Sequence, residues 1–241
     1  MAETPQIVSY DFGRHNSDPS RAASRIFESG SWKDQSTVML IPASKMVPSK
    51  AALSWMNMIT PPNNKFYRML TIGMEVGEAY STAIEHVLAH PDLSQWKFIL
   101  TVEHDNIPPP DGFINLVKDM EEHPEFSCIG GLYWTKGEEG VPQIWGDPKE
   151  PIVNYRPQVP VVPPGVQECC GTGMGFNLWR MEMFRDQRIP RPLFRTKANA
   201  TEGVGTQDLA FWGEARKLGY RCAIDTRILV GHYDVGADIT W

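Results

Sequence analysis

The sequence predicts an α/β domain, a three-layer sandwich in which helices cover both faces of a central, mostly parallel sheet. Three observations carry that expectation. Short apolar runs that stop at a proline, a glycine or an acidic residue recur along the chain, and most are followed by a stretch with apolar residues at helical spacing. One run, residues 96–102, is apolar almost throughout, as a strand covered on both faces must be. The chain has 241 residues, of which 41% are hydrophobic, enough for one sizeable core.

Taken in order, residues 1–36 are polar and irregular and read as a peripheral arm, with 37–241 as a single domain. The arm carries one expected short helix, with Asp18 as N-cap, Pro19 in the first helical position and Gly30 just past the end. Residues 37–41 form an apolar, partly β-branched run stopped by Pro42, the first buried strand. Over 49–58, Ala52, Leu53, Trp55 and Met56 return at helical spacing, completing a strand–loop–helix step. Residues 66–73 read as a second strand. The helix over 75–89 sets Val76, Ala79, Tyr80, Ala83, Val87 and Leu88 on one face. Beyond the apolar strand at 96–102, Asp111 is placed to cap a helix running to Glu122, with Phe113, Leu116, Val117 and Met120 inside.

Residues 126–134 read as a further strand. Pro142, Pro148, Pro151, Pro157, Pro160, Pro163 and Pro164 then exclude a long helix or central strand near 141–168, which reads as a surface insertion. Regular structure resumes at Gly171-Thr172-Gly173-Met174-Gly175-Phe176-Asn177, expected to lead into a helix near 178–185. A last helix over 207–218 starts at N-cap Thr206 and ends at Gly219, and a strand over 221–230 closes the pattern.

Composition narrows the function. The formal net charge of -6 draws the chain toward neither nucleic acid nor an anionic membrane surface. No run reaches the roughly 18 apolar residues of a membrane-spanning helix, and Met1-Ala2-Glu3-Thr4-Pro5 lacks a basic segment followed by an apolar one, so a cytoplasmic protein is expected. Cys128, Cys169, Cys170 and Cys222 match neither a zinc knuckle nor a Cys-x-x-Cys pair and read as buried, reduced thiols.

The chemistry points to Glu103-His104-Asp105-Asn106, directly after the apolar strand. In open α/β sheets, ligands bind beyond the carboxyl ends of the strands. Two carboxylates one residue apart suit a hard divalent cation held against a diphosphate, although acidic residues also end strands simply because they are solvated there.

A buried strand ending in an acidic pair, then a proline-rich turn and a capped helix, resembles the Asp-x-Asp region of GT-A glycosyltransferases, particularly the large inverting family 2. Glu103 stands where that family has its first Asp, and Asp105 maps onto the usual metal ligand. The glycine-rich stretch 171–176 is similar to the segment that lines donor sugar and acceptor. Gly205-Thr206-Gln207-Asp208-Leu209-Ala210-Phe211-Trp212, followed by Ala215-Arg216-Lys217-Leu218-Gly219-Tyr220, is similar to the family's catalytic-acid helix, and His232 stands where a histidine often joins the metal site.

The resemblance implies a GT-A (Rossmann-like) fold and metal-dependent transfer of sugar from a nucleoside-diphosphate sugar, expected to be a UDP-sugar, to an acceptor hydroxyl with inversion. It implies Mn²⁺ or Mg²⁺ held by Asp105 and His232 with Glu103 nearby, and Asp208 as catalytic base. Donor contacts are expected at Pro42, Ser44, Glu103, Asp105, Asn106 and Gly173, and acceptor contacts at Trp134, Gly173, Met174, Gly175 and Asp208. On physical grounds, Asp208 in the first turn of a helix is favoured as the ionised form that a base requires. Asp225 accompanies His232 in the same closing segment.

Other features receive blander readings. His86 and His90 share a helix face but lack a third ligand. Trp134, Trp145, Trp179 and Trp212 are core anchors or stacking surfaces. Lys45, Lys50, Arg180 and Arg195 are candidate diphosphate partners. The stand-alone design resembles small glycosyltransferases of viral or mobile-element origin, some of which decorate hydroxymethylated pyrimidines in DNA. A flipped base would need a basic groove, for which Arg156 and the stretch from Arg180 to Arg195 are the candidates, against the overall acidity. The rival functions are a sugar-nucleotide nucleotidyltransferase, disfavoured because Ile41-Pro42-Ala43-Ser44-Lys45 lacks a glycine-rich loop, and a non-catalytic carbohydrate-binding relic.

Overall fold

The apolar run near the start becomes strand β1 (Thr37–Ala43), every residue of which is buried. Successive side chains on a strand face opposite sides, so Val38 and Leu40 join one apolar cluster while Met39 and Ile41 join another. Those two clusters make the molecule three-layered. The computed structural model describes residues 35–60, 65–151, 153–159, 161, 164–199 and 203–241, so the short helix expected between Asp18 and Gly30 lies outside the described residues.

β1 runs parallel to both its neighbours, β2 (Phe66–Ile72) and β3 (Phe98–Val102). Past β3 come β9 (Phe176–Arg180), β5 (Cys128–Leu132), β12 (Cys222–Leu229) and β7 (Val166–Cys169), giving the order β2-β1-β3-β9-β5-β12-β7. β9 is antiparallel to both β3 and β5, and β7 is antiparallel to β12, whereas β5 and β12 are parallel. The sheet is therefore mixed but mostly parallel. Helices α1 (Ser49–Asn57) and α3 (Gly112–Glu122) cover the face of Met39, through Ala51, Trp55, Phe113 and Leu116. On the face of Val38 lie α2 (Val76–Ala89), α4 (Met181–Arg185) and α5 (Gln207–Lys217).

Several boundaries differ from the sequence reading. The helix expected at 178–185 begins only at Met181, because Leu178, Trp179 and Arg180 stay on β9, Leu178 and Trp179 pairing with both β3 and β5 and Arg180 with β3. Leu178 and Trp179 are buried on opposite faces of the sheet, and such a doubly covered strand carries the same short apolar run as a buried helix. The strand expected at 126–134 narrows to β5. Glu75 is the N-cap of α2 rather than its first residue, its carboxylate accepting from the N–H groups of Gly77 (2.9 Å) and Glu78 (3.1 Å). Asp111 and Thr206 stand at the N-cap positions of α3 and α5, yet neither side chain makes a capping hydrogen bond.

The remaining strands are short. The proline-rich stretch holds β6 (Ile144–Trp145), which pairs with β8 (Gly171–Thr172), and leads into the edge strand β7. β10 (Lys197–Asn199) and β11 (Gly203–Gly205) form a hairpin ahead of α5. β13 (Gly231–Asp234) lies between β4 (Asn106–Ile107) and β14 (Ile239–Thr240). All four cysteines are buried and free, with Cys169 and Cys222 facing each other across β7 and β12 at 3.8 Å between sulfurs.

Candidate active site

β1 and β3 both end at one cleft of about 460 Å³. β1 and the loop after it bring Pro42 and Ser44, the turn after β3 brings Glu103, His104 and Asp105, and β13 brings His232. Residues far apart in sequence meet there because β4, which follows the acidic turn, pairs with β13 and sets His232 opposite Asn106. The turn itself is stitched on both sides. The Glu103 N–H donates to the Gly175 carbonyl (3.2 Å), and the Tyr233 N–H donates to the Asp105 carbonyl (2.8 Å).

Asp105 and His232 form the centre of this arrangement. His232 Nδ1 lies 2.8 Å from the Trp134 carbonyl, and since a carbonyl only accepts, that nitrogen carries the proton. The opposite nitrogen, Nε2, lies 3.5 Å from Asp105 Oδ2, and the Lys136 ammonium pairs with that same oxygen. Burial pushes the Asp105 carboxyl up, but hydrogen bonds to His232 and Lys136, together with their charge, outweigh it and hold the group well below the usual carboxylate range.

Glu103 behaves in the opposite sense. Desolvation, reinforced by the charges of Asp105 and Asp208 and opposed only by Lys136, pushes its carboxyl up to about 8. Asp208 sits in the first turn of α5, 8% exposed, with the Leu209 N–H donating to its Oδ1 at 2.9 Å. Burial raises its pKa; hydrogen bonds from Thr206, Leu209 and its own backbone pull the other way and do not prevail. The helix-start effect expected from sequence is thus present but weaker than desolvation.

The glycine stretch has a structural reason for its glycines. A Cβ on Gly175 would lie 2.5 Å from Tyr133 Cζ, and one on Gly173 would lie 2.3 Å from the Tyr133 hydroxyl oxygen. Tyr133 is buried against this backbone, accepts a hydrogen bond from the Gly175 N–H at 2.9 Å, and meets the His232 ring edge-on at 5.6 Å. Gly175→Ala must therefore displace a buried ring. The expected result is a loss of about 1–3 kcal/mol, as for other overpacked sites, read from the midpoint of denaturant unfolding.

Other expected residues are distributed as follows. Asn106 is buried, its Nδ2 donating to the Gly231 carbonyl at 3.4 Å. The Met174 side chain is buried in the core, and Trp134 is half-buried at its edge. Trp179 and Trp212 are core residues, stacked at 5.3 Å. Asp225 pairs with Arg227, which also reaches Asp119. Lys50 pairs with Asp238, Arg180 donates to the carbonyls of Met120 and Phe126, and Lys45 and Arg195 are exposed. His90 Nδ1 accepts from the N–H groups of Asp92 and Leu93, whereas His86 is exposed.

Sequence reading passed over Tyr133 and Lys136. Both lie at the carboxyl end of β5, so the rule that singled out the acidic turn after β3 would have found them had it been applied to every strand. Among the described residues, no group of three or more His, Cys, Asp or Glu side chains is arranged to hold a metal ion, and no helix is long and apolar enough to cross a membrane. Asp105 and His232, with Oδ2 and Nε2 3.5 Å apart, are two side chains that could hold a cation together with substrate and water.

No protein-family model matches the sequence, and no curated protein is significantly similar to it. Solved structures do match. A197 from STIV aligns over 82% of this chain and 85% of its own, with a TM-score of 0.58 and 16% identity. GalNAc-T7, in a crystal structure with UDP, GalNAc and Mn²⁺, aligns over 96% of this chain and 56% of its own, with a TM-score of 0.56 and 9% identity. At those identities the likeness is one of fold. The chain has the α/β architecture of a GT-A glycosyltransferase, a mixed, mostly parallel seven-stranded sheet between two layers of helices.

Proposed function

We propose that this chain transfers a sugar from a nucleoside-diphosphate sugar to an acceptor hydroxyl, with inversion at the anomeric carbon and with UDP-sugars as the first donors to test. The observation that carries this reading is the Asp105–His232 pair at the mouth of the cleft. With Nδ1 tied to the Trp134 carbonyl, the ring holds its other nitrogen, Nε2, 3.5 Å from Asp105 Oδ2, where one cation could take both. A backbone carbonyl fixing the far nitrogen is also the usual support of a metal-bound histidine.

One carboxylate and one imidazole suit Mn²⁺ or Mg²⁺. A divalent cation held by Asp105 and His232 would polarise the diphosphate and neutralise the charge that grows on it as it leaves. Glu103 is assigned to the ribose or to a cation-bound water. Pro42, Ser44 and Asn106 complete the donor side, and the Gly173 backbone meets the sugar. On the acceptor side stand Trp134 and the backbone of Gly173, Met174 and Gly175, since the Met174 side chain is buried. Asp208 accepts the acceptor hydroxyl's proton while the new C–O bond forms and the bond to the diphosphate breaks. A carboxyl raised toward neutrality by burial is better matched to that transfer than an ordinary one.

A saccharide is the acceptor we assign ahead of a hydroxymethylated pyrimidine in DNA. Of the arginines expected to line a DNA groove, four have internal partners, Arg180 on the Met120 and Phe126 carbonyls, Arg185 on those of Ser94 and Trp96, Arg188 on Asp186 and Arg191 on Glu85, whereas Arg156 and Arg195 are exposed. The test is a panel of nucleotide sugars with Mn²⁺, offered to oligosaccharides and to hydroxymethylated DNA, with products weighed by mass spectrometry. Metal-dependent release of a nucleoside diphosphate is expected, and its absence from every pairing, hydrolysis included, overturns the assignment. His232→Ala should weaken Mn²⁺ binding at least as much as losing a supporting second partner does elsewhere, about 10- to 100-fold, measured by titration against the spin signal of free Mn²⁺.

A further inference from the structure

The Lys136 ammonium pairs with Asp105, a residue of the cleft, and sugar transfer as proposed gives it no role. It lies in the turn 135–140 beyond β5, which the backbone pins at its neck. The Thr135 N–H donates to the Val141 carbonyl and the Val141 N–H to Thr135 Oγ1, both at 2.9 Å. Across the turn, the Gly140 N–H donates to the Gly137 carbonyl at 3.0 Å, and Gly137 has φ +104, a conformation that favours glycine. Lys136 is thus the first residue past a fixed neck, with its side chain 32% exposed and its ammonium reaching inward to Asp105 Oδ2.

That oxygen is the one facing His232 Nε2, so the ammonium and any divalent cation bound by Asp105 and His232 contend for the same atom. Two cations crowded onto one carboxylate oxygen repel, so a divalent cation there loosens the hold of the lysine on Asp105. The lysine has somewhere to go. A released diphosphate carries more negative charge than the sugar nucleotide did, and a divalent cation shared with Asp105 leaves part of it unbalanced. An ammonium on a flexible four-carbon stem is a well-suited point charge for phosphate oxygens. Preorganised positive charge where a leaving group gains negative charge is among the largest contributions to catalysis.

We infer that Lys136 is a diphosphate-binding residue: its ammonium pairs with Asp105 and transfers to the diphosphate oxygens when a nucleoside diphosphate and its cation enter. This rests on the functional reading above and adds a second positive contact to the leaving group. Two opposite effects of one substitution follow. In Lys136→Met, Mn²⁺ alone binds the protein more tightly, because its competitor for Asp105 is gone. In the same variant at saturating Mn²⁺, the nucleoside diphosphate binds more weakly by about 10- to 100-fold, the range for a hydrogen bond to a charged group, and Lys136→Arg recovers most of that loss.

The experiment measures Mn²⁺ binding from the spin signal of the free ion, and measures UDP, GDP, ADP, CDP and dTDP binding at saturating Mn²⁺ by calorimetry, for wild type and both variants. Tighter Mn²⁺ with weaker nucleotide is the expected result. Unchanged nucleotide affinity, or Mn²⁺ binding weakened along with it, overturns the assignment, the latter because a lysine that merely props the acidic turn would loosen both. If the wild-type protein binds none of these nucleotides with Mn²⁺, the reading of the cleft as a nucleotide-sugar site fails first, and the role of Lys136 falls with it.

Discussion

On the proposed function, Asp208→Asn is expected to lower sugar transfer by about 10²- to 10⁴-fold, the range over which a positioned base contributes, with nucleoside-diphosphate binding retained. Asparagine has nearly the shape of aspartate, and its carbonyl oxygen can take the same 2.9 Å hydrogen bond from the Leu209 N–H. It cannot accept a proton from the acceptor. Stability should hold or rise. Burial places the folded-state pKa of Asp208 above its ordinary value, so the folded protein prefers the neutral carboxyl. As pH rises from the unfolded pKa through the folded one, wild type loses stability that the asparagine variant keeps. The same shift places the acid limb of the wild-type rate profile above the usual carboxylate range. Wild-type turnover in the variant, with its fold intact, would remove Asp208 from the mechanism.

Trp179→Ala destabilises the protein by about 3–5 kcal/mol, a large part of the 5–15 kcal/mol typical of a whole fold. Trp179 is fully buried on β9 in a cluster with Phe184, Phe194, Phe211 and Trp212, stacked on the last at an interplanar angle of 15°. Its indole N–H donates to Thr101 Oγ1 at 3.0 Å, so truncation leaves a cavity and takes one donor from a buried hydroxyl that keeps only its 3.5 Å bond to the Asn177 carbonyl. Chemical denaturation measures the loss. Trp134→Ala, at a half-buried position, should cost distinctly less, and equal costs would mean that the aromatic cluster is not the centre of this core.

Alternation along β1, apolar on both sides, and the helical spacing on α2 and α3 were legible as sequence because each element states locally which of its faces must leave water. The same logic located Glu103 and Asp105 at a strand end. It failed at β9, where Leu178, Trp179 and Arg180 were assigned to a helix: a strand sandwiched between two layers has no polar face, and periodicity then has nothing to distinguish.

Hydrophobic pattern therefore settles which segments are buried and in which layers they pack, because burial is written residue by residue. The sheet order decided everything that depends on who meets whom. β9 enters antiparallel between β3 and β5, carrying the glycine stretch past the Glu103 backbone; β13 pairs with β4 and sets His232 Nε2 3.5 Å from Asp105; the end of β5 supplies Tyr133 and Lys136. Burial in that assembled site raises the Asp208 and Glu103 carboxyls, while hydrogen bonds and nearby charge lower that of Asp105. Distances and desolvation are properties of a packed environment, and no stretch of the chain contains them until its distant partners have docked.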